Sequence, residues 1–273
     1  EVKINEYINK LLGTDDKDYV IAADTDSLYI SLDALVTHVF KDKDPSKEQI
    51  VNYLNKIASQ GFEPIIDKIY HDLRDRMNAF AQKMVMKREV IAERGIWTGK
   101  KRYILNVHDS EGVRFESPKL KMMGIEAVKS STPASCRKAI KDALDIIMNR
   151  DEAALHTFVA EFRDKFNKLP FEEVAFPRGV QGLSKYIRAE KSIPIHVRAS
   201  MTYNKRLKDL KLDKKYELIK DGEKIKFRYM KMHNDLNENV LAIPSVLPPE
   251  FKINQYIDYR MQFDKAFLDP LRS

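Results

Sequence analysis

Tyr19-Val20-Ile21-Ala22-Ala23-Asp24-Thr25-Asp26-Ser27-Leu28-Tyr29-Ile30-Ser31 sets four polar residues between two apolar runs rich in β-formers. The flanks, Tyr19 to Ala23 and Leu28 to Ser31, read as short strands, so Asp24 to Ser27 fall at or near a hairpin tip. Two carboxylates two positions apart on a rigid tip suit a hard cation such as Mg²⁺, and are costly to hold facing each other without one. The chemistry this pattern points to is metal-assisted phosphoryl transfer. An EF-hand does not fit: with Asp24 as position 1, position 6 is Tyr29 rather than Gly and position 12 is Leu35 rather than Glu. A solvated Asp/Ser turn and the Asp-x-Asp of a metal-dependent glycosyltransferase stay open at this point.

The 273 residues are 43% hydrophobic, 10% aromatic and 33% charged, enough for one large domain or two small ones with a real core. No run of about 18 apolar residues occurs, so no membrane span is expected, and the charged opening Glu1 to Lys10 does not resemble a signal peptide. A single Cys136 excludes an intrachain disulfide and any Cys-based zinc cluster. The net charge of +7 is unevenly placed. Residues 83–140 hold 13 Lys/Arg against 6 Asp/Glu, which equals the whole excess, and residues 178–228 hold 15 against 6. Two such blocks read as an electrostatic footprint for a polyanion.

Spacing predicts a helix over Val2 to Leu12, stopped by Gly13. Residues 47–86 read as mostly helical, with a break around Gly61 to Pro64. Strands are expected at 89–92 and 102–107, with Asp109-Ser110-Glu111-Gly112 as a hairpin turn. Thr132 and Pro133 suit the N-cap and first position of a helix running to about Asn149. Leu155, Phe158, Val159, Phe162 and Phe166 form one apolar helical stripe. Residues 170–248 read as irregular with short strands, and Pro248-Pro249 as the start of a final helix carrying Tyr256, Ile257, Met261, Phe263 and Phe267.

Trp97-Thr98-Gly99-Lys100-Lys101-Arg102-Tyr103 puts three cations and an aromatic at the entry to a strand. Strand alternation predicts Lys101 and Tyr103 on one face and Lys100 and Arg102 on the other. A lysine in a minor groove meets acceptors that differ little between base pairs, so it would report pairing geometry without reading sequence.

The acidic motif Asp24 to Ser27, followed by Lys100-Lys101-Arg102-Tyr103, resembles family B DNA polymerases, and most closely their T-even-type bacteriophage branch. Asn5-Glu6-Tyr7, Met86 to Ala92, Lys119 to Glu126, Lys129 to Pro133, His196-Val197-Arg198 and Thr202-Tyr203-Asn204 agree in order. The resemblance implies an α+β fold: an antiparallel-sheet palm portion with packed helices (1–131), then a mostly helical thumb (132–273). It implies a DNA-directed DNA polymerase, a nucleotidyltransferase of DNA replication, using Mg²⁺ in a two-metal site with primer-template DNA and dNTP as partners. Asp26 would be the principal catalytic metal ligand, Asp24 the supporting acid and Glu89 a third acidic residue at the metal site, close to the metals. Lys100, Lys101, Arg102 and Tyr103 would contact the primer-template near its growing end, and Lys119, Lys121 and Lys129 its phosphates. Lys185, Tyr186, His196, Arg198 and Tyr203 would grip the duplex backbone.

The family's upstream palm motif ending Ser-Leu-Tyr-Pro-Ser, its fingers helix and its exonuclease Asp-x-Glu are all missing. Ala23 stands where the family usually has Gly, and Asp269 to Ser273 is not the apolar tail by which phage members dock on a sliding clamp. The chain is thus expected to be the carboxy-terminal palm and thumb part of a polymerase. It would act in the cytoplasm of an infected bacterium, stay inactive without an amino-terminal part, and expose apolar surface around Tyr19 to Ala23. The alternative is a non-catalytic DNA-binding module.

Overall fold

The computed structural model describes residues 1–186 and 192–272; Arg188 and Lys191 of the second basic block, and the final Ser273, lie outside the described residues. The chain divides into two compact units, Glu1–Met123 and Gly124–Ser273. Each has its own apolar core. Antiparallel sheets with packed helices make the fold α+β. No helix among the described residues is long and apolar enough to cross a membrane.

In the first unit, helix α1 (Val2–Leu12) ends at Gly13, whose φ of 64° is the left-handed cap that glycine supplies at least cost. Its Ile4 and Ile8 pack with Tyr19, Val20, Ala58 and Phe62 in one buried cluster. Strands β1 (Val20–Asp24) and β2 (Ser27–Ile30) pair antiparallel with Asp24 opposite Ser27, leaving Thr25 and Asp26 as the tip. Burial of Tyr19 and Val20 departs from the apolar exposure expected there; Ile21 alone of that run is a large exposed hydrophobe.

Helices α2 (Asp33–Val39) and α3 (Lys47–Ile57) follow. A capping box opens α3: Gln49 N–H donates to Ser46 Oγ at 3.2 Å, and Ser46 N–H to Gln49 Oε1 at 2.8 Å. Where a break was expected, one π-helical turn, Ala58–Phe62, joins α3 to α4 (Glu63–Arg76). Pro64 is tolerated there because its missing N–H falls in the first turn of α4. That helix stops short of the expected Met86, buries no residue, and is followed by a stretch without regular structure that exposes Met77, Phe80 and Val85.

The main sheet is the meander β3 (Val90–Gly99), β4 (Arg102–Ser110) and β5 (Val113–Met123). Glu111 and Gly112, at φ 51° and 91°, form the expected β4–β5 turn with the two left-handed residues of a type I′ connection. Strand β3 runs on to Gly99, which pairs with Arg102. Lys100 and Lys101 are therefore a hairpin tip, and the predicted alternation of faces applies to Arg102 and Tyr103 alone.

In the second unit α5 (Ala134–Asn149) starts one residue later than Pro133, without a side-chain cap. Helix α6 (Glu152–Phe166) is capped by Asp151, and its stripe meets the carboxy-terminal segment: Phe162 lies 4.8 Å from Phe267 and Phe166 5.3 Å from Phe263. The stretch read as irregular holds a sheet of β6 (Phe176–Gly179), β7 (Lys224–Tyr229) and β8 (Val240–Ile243). It also holds a 15-residue helix, Ile195–Asp209, packed on β8. The final helix begins at Tyr259, so Tyr256 and Ile257 precede it.

Candidate functional site

Asn5 fixes the root of the acidic hairpin. Its Oδ1 accepts the Tyr19 N–H at 2.9 Å while its Nδ2 donates to Asp18 Oδ1 at 2.7 Å. At the tip the Thr25 N–H donates to Asp24 Oδ1 at 2.8 Å, and Ser27 Oγ lies 3.4 Å from Asp26 Oδ1. The Thr25 amide is the main reason the Asp24 carboxyl is held below its ordinary range; desolvation opposes it, and Lys101 and Lys100 add attraction. Asp26 is exposed and Asp24 half-buried, so the pair presents carboxylate oxygens to solvent.

The basic tip lies within electrostatic reach of Asp24, and the two hairpins meet through aromatic side chains. Tyr29 of β2 sits edge-on to Trp97 of β3 at 5.2 Å and tilted against Tyr103 of β4 at 5.4 Å. Trp97 and Tyr103 are cross-strand partners with rings 6.5 Å apart. Burial, the Tyr103 hydroxyl and the negative charges of Glu89 and Asp24 push the Tyr29 hydroxyl well above its usual pKa. Asp24 and Glu89 thus lie within electrostatic reach of this half-buried ring system, and Lys100 and Lys101 within reach of Asp24.

Glu89, just ahead of β3, forms an ion pair with Lys121 of β5. Among the described residues no three Asp, Glu, His or Cys side chains gather as a metal-holding group. Lys119 holds its ammonium 4.3 Å from the Phe115 ring centre. Behind this face, buried Asp109 ties the sheet together. It pairs with Arg88, lies 2.5 Å from Arg114 Nε and accepts the Gly112 N–H at 3.0 Å.

In the second unit Lys129 pairs with Glu126 at 2.8 Å. Lys185 and Tyr186 end a four-residue helix. Arg198 reaches Glu238 at 3.3 Å, and burial together with Arg178 lowers the half-buried His196 below its usual pKa. Tyr203 is a correction. It is 1% exposed, packs at 5.5 Å on Phe251 and has its hydroxyl pushed up to about 12 by burial, so it is core and offers no surface to a duplex.

Sequence reasoning missed Tyr29, Trp97 and Asp109 as parts of the site. The signal available for the first two was a Tyr three residues after Asp26 and the single Trp three residues before Lys100.

No protein-family model matches the chain. It is 32% identical over 286 aligned positions to the DNA-directed DNA polymerase of Enterobacteria phage T4, covering 98% of this chain and 31% of that protein. It is 33% identical over 286 positions to the DNA-directed DNA polymerase of Escherichia phage RB69, covering 99% and 31%. The chain therefore spans about a third of the length of these curated relatives.

Proposed function

We propose that this chain, related along nearly its whole length to the DNA-directed DNA polymerases of T4-type phages, is the carboxy-terminal palm and thumb portion of such an enzyme. The observation that carries the reading is the two-carboxylate hairpin tip set beside the Lys100–Lys101 tip. The donor set, carboxylate oxygens on a short turn, fits a hard divalent cation. Mg²⁺ bound there would neutralise charge on the reacting phosphate and favour ionisation of the attacking hydroxyl.

This chain's own residues hold and orient. Asp26 and Asp24 would be two of the ligands, the rest coming from a further segment of polymerase, phosphate oxygens and water. Glu89 would tune the field from its pair with Lys121. Lys100, Lys101 and Arg102 would seat the primer-template backbone near its growing end, with Tyr103 packed beneath. Lys119, Lys121, Lys129, Lys185, Tyr186, His196 and Arg198 would contribute backbone contacts, which position a duplex without reading its sequence. Exposed Leu73, Met77, Phe80, Met84 and Val85 support the presence of a covering partner segment.

The test is primer extension with dNTP and Mg²⁺, by this chain alone and joined to the rest of the polymerase. Extension only when joined, lost with Asp26→Ala while duplex binding persists, is the expected result. Undiminished extension by Asp26→Ala would remove the metal role. If the joined protein binds duplex and never extends, the non-catalytic DNA-binding module replaces this reading.

A further inference from the structure

The acidic and basic hairpins belong to separate sheets and share no strand pairing. What spans them is side chain: Tyr29 on one side, Trp97 and Tyr103 on the other, all three rings within 5.2 to 6.5 Å of one another. Each ring lies within three residues of its tip. Tyr29 follows Asp26, Trp97 precedes Lys100, and Tyr103 follows Lys101.

The seat of Trp97 is equally specific. Gly95, two residues back on the same strand face, lies under the indole; a Cβ there would fall 2.7 Å from two indole carbons and 2.8 Å from Leu105 Cδ2. Leu105 is the cross-strand partner of Gly95. Glycine is thus required for the ring to lie back along β3 and meet Tyr29. Backbone-free contacts between two hairpins transmit displacement only if the packing is close, and aromatic pairs at these separations prefer a small set of angles.

We propose that Trp97, seated on Gly95, is a positioning residue that couples the carboxylate tip to the phosphate-binding tip, so that cation binding at Asp24 and Asp26 and backbone binding at Lys100 and Lys101 reinforce each other. The inference rests on the function proposed above and adds the coupling between its two halves. By linkage the reinforcement is reciprocal, and coupling of this kind amounts to about fivefold or more in affinity.

Trp97 is the single tryptophan of the chain, so its emission reports directly. With the full chain, Mg²⁺ is titrated while binding heat and Trp97 emission are read together, in the presence and absence of a short synthetic primer-template duplex. The emission change should track the heat, vanish in Asp26→Asn, and move to about fivefold lower Mg²⁺ with duplex. Trp97→Leu should weaken Mg²⁺ binding and erase the duplex effect, whereas Trp97→Phe, which keeps a ring, should restore most of both. Mg²⁺ heat with unchanged emission, or an undiminished duplex effect in Trp97→Leu, overturns the coupling and leaves the proposed function standing. If Trp97→Leu does not fold, the wild-type emission and the Asp26→Asn control decide alone. Absence of both Mg²⁺ heat and duplex binding in the wild-type chain also overturns the coupling, while primer extension by the joined protein decides the proposed function separately.

Discussion

Replacing Asp109 by Asn should unfold the first unit far more easily than its position beside a turn suggests. The residue is fully buried, and its charge faces Arg88, whose side chain is 14% exposed, and Arg114, which is 37% exposed. Asparagine keeps the size and one acceptor for the Gly112 N–H but strands the Arg88 cation. Removing one partner of a buried pair costs about 3–5 kcal/mol. Arg88 keeps its bond to Asn55 Oδ1 at 2.7 Å, and Arg114 reaches water, so the lower end applies, about 3 kcal/mol. With a urea slope of about 2 kcal/mol per molar for a unit of this size, the midpoint should fall by about 1.5 M. The assay is urea unfolding followed by Trp97 emission, which reports this unit because the chain has no other tryptophan. The control is Glu111→Gln at the exposed neighbouring turn, expected to stay within about 0.5 kcal/mol of wild type. A shift for Asp109→Asn no larger than that control would refute the claim that this carboxylate holds the sheet.

Three further outcomes follow from other side chains. Lys101 sits at φ 59° in the left-handed region; the strain a side chain carries there, less the extra freedom glycine has when unfolded, predicts that Lys101→Gly stabilises the hairpin by about 0.5–1 kcal/mol. At the same time the salt slope of duplex binding should shrink by about 1 if the lysine meets a phosphate. Cys136 is buried and its thiol pushed up to about 12, so it should react with a thiol reagent only as the second unit unfolds; rapid labelling of the native protein would contradict its placement. Glu250 is drawn down to about 2 chiefly by its hydrogen bond from Lys215, with Tyr216 assisting. Its folded pKa is depressed, so that contact is complete above the ordinary carboxylate range and is lost as pH falls towards 2. NMR titration should show the low midpoint, and Lys215→Ala should return it towards 4.5; an unmoved midpoint would disprove the assignment.

The acidic hairpin was legible because both of its signals are local: alternating apolar flanks and a polar tip. The turn at Glu111-Gly112 was legible for the same reason. The basic tip was misread as strand because Lys101 adopts a left-handed φ that nothing in its chemistry announces. The helix Ile195–Asp209 was hidden by its many basic and polar residues; its buried face, Val197, Ala199, Ser200, Thr202, Tyr203 and Leu207, mixes hydroxyl side chains with apolar ones. That same face is why Tyr203, read as a duplex contact from its motif, turned inward. Asp109 and the ring cluster depend on residues far apart in the chain meeting in space, and periodicity carries no record of such meetings.

The wide turn at Ala58–Phe62 has a consequence for azimuth. A π turn holds one residue more than an α turn, and each helical residue advances the screw by about 100°. The turn therefore resets the phase between α3, which buries Val51, and α4, whose Ile65 and Ile66 pack half-buried against the cluster of Ala58 and Phe62. It places Gly61 against the Tyr7 ring, where a Cβ would come within 2.8 Å of the hydroxyl, and sends the next fourteen residues off on a new heading. Deleting a single residue here would restore an ordinary helix and rotate every later side chain of α4 about its axis. Glu63, whose Oε1 holds the Arg88 N–H at 3.1 Å, would swing with them. The orientation of the strand entry that carries Glu89 is in that sense set by a one-residue phase shift near the middle of a helix.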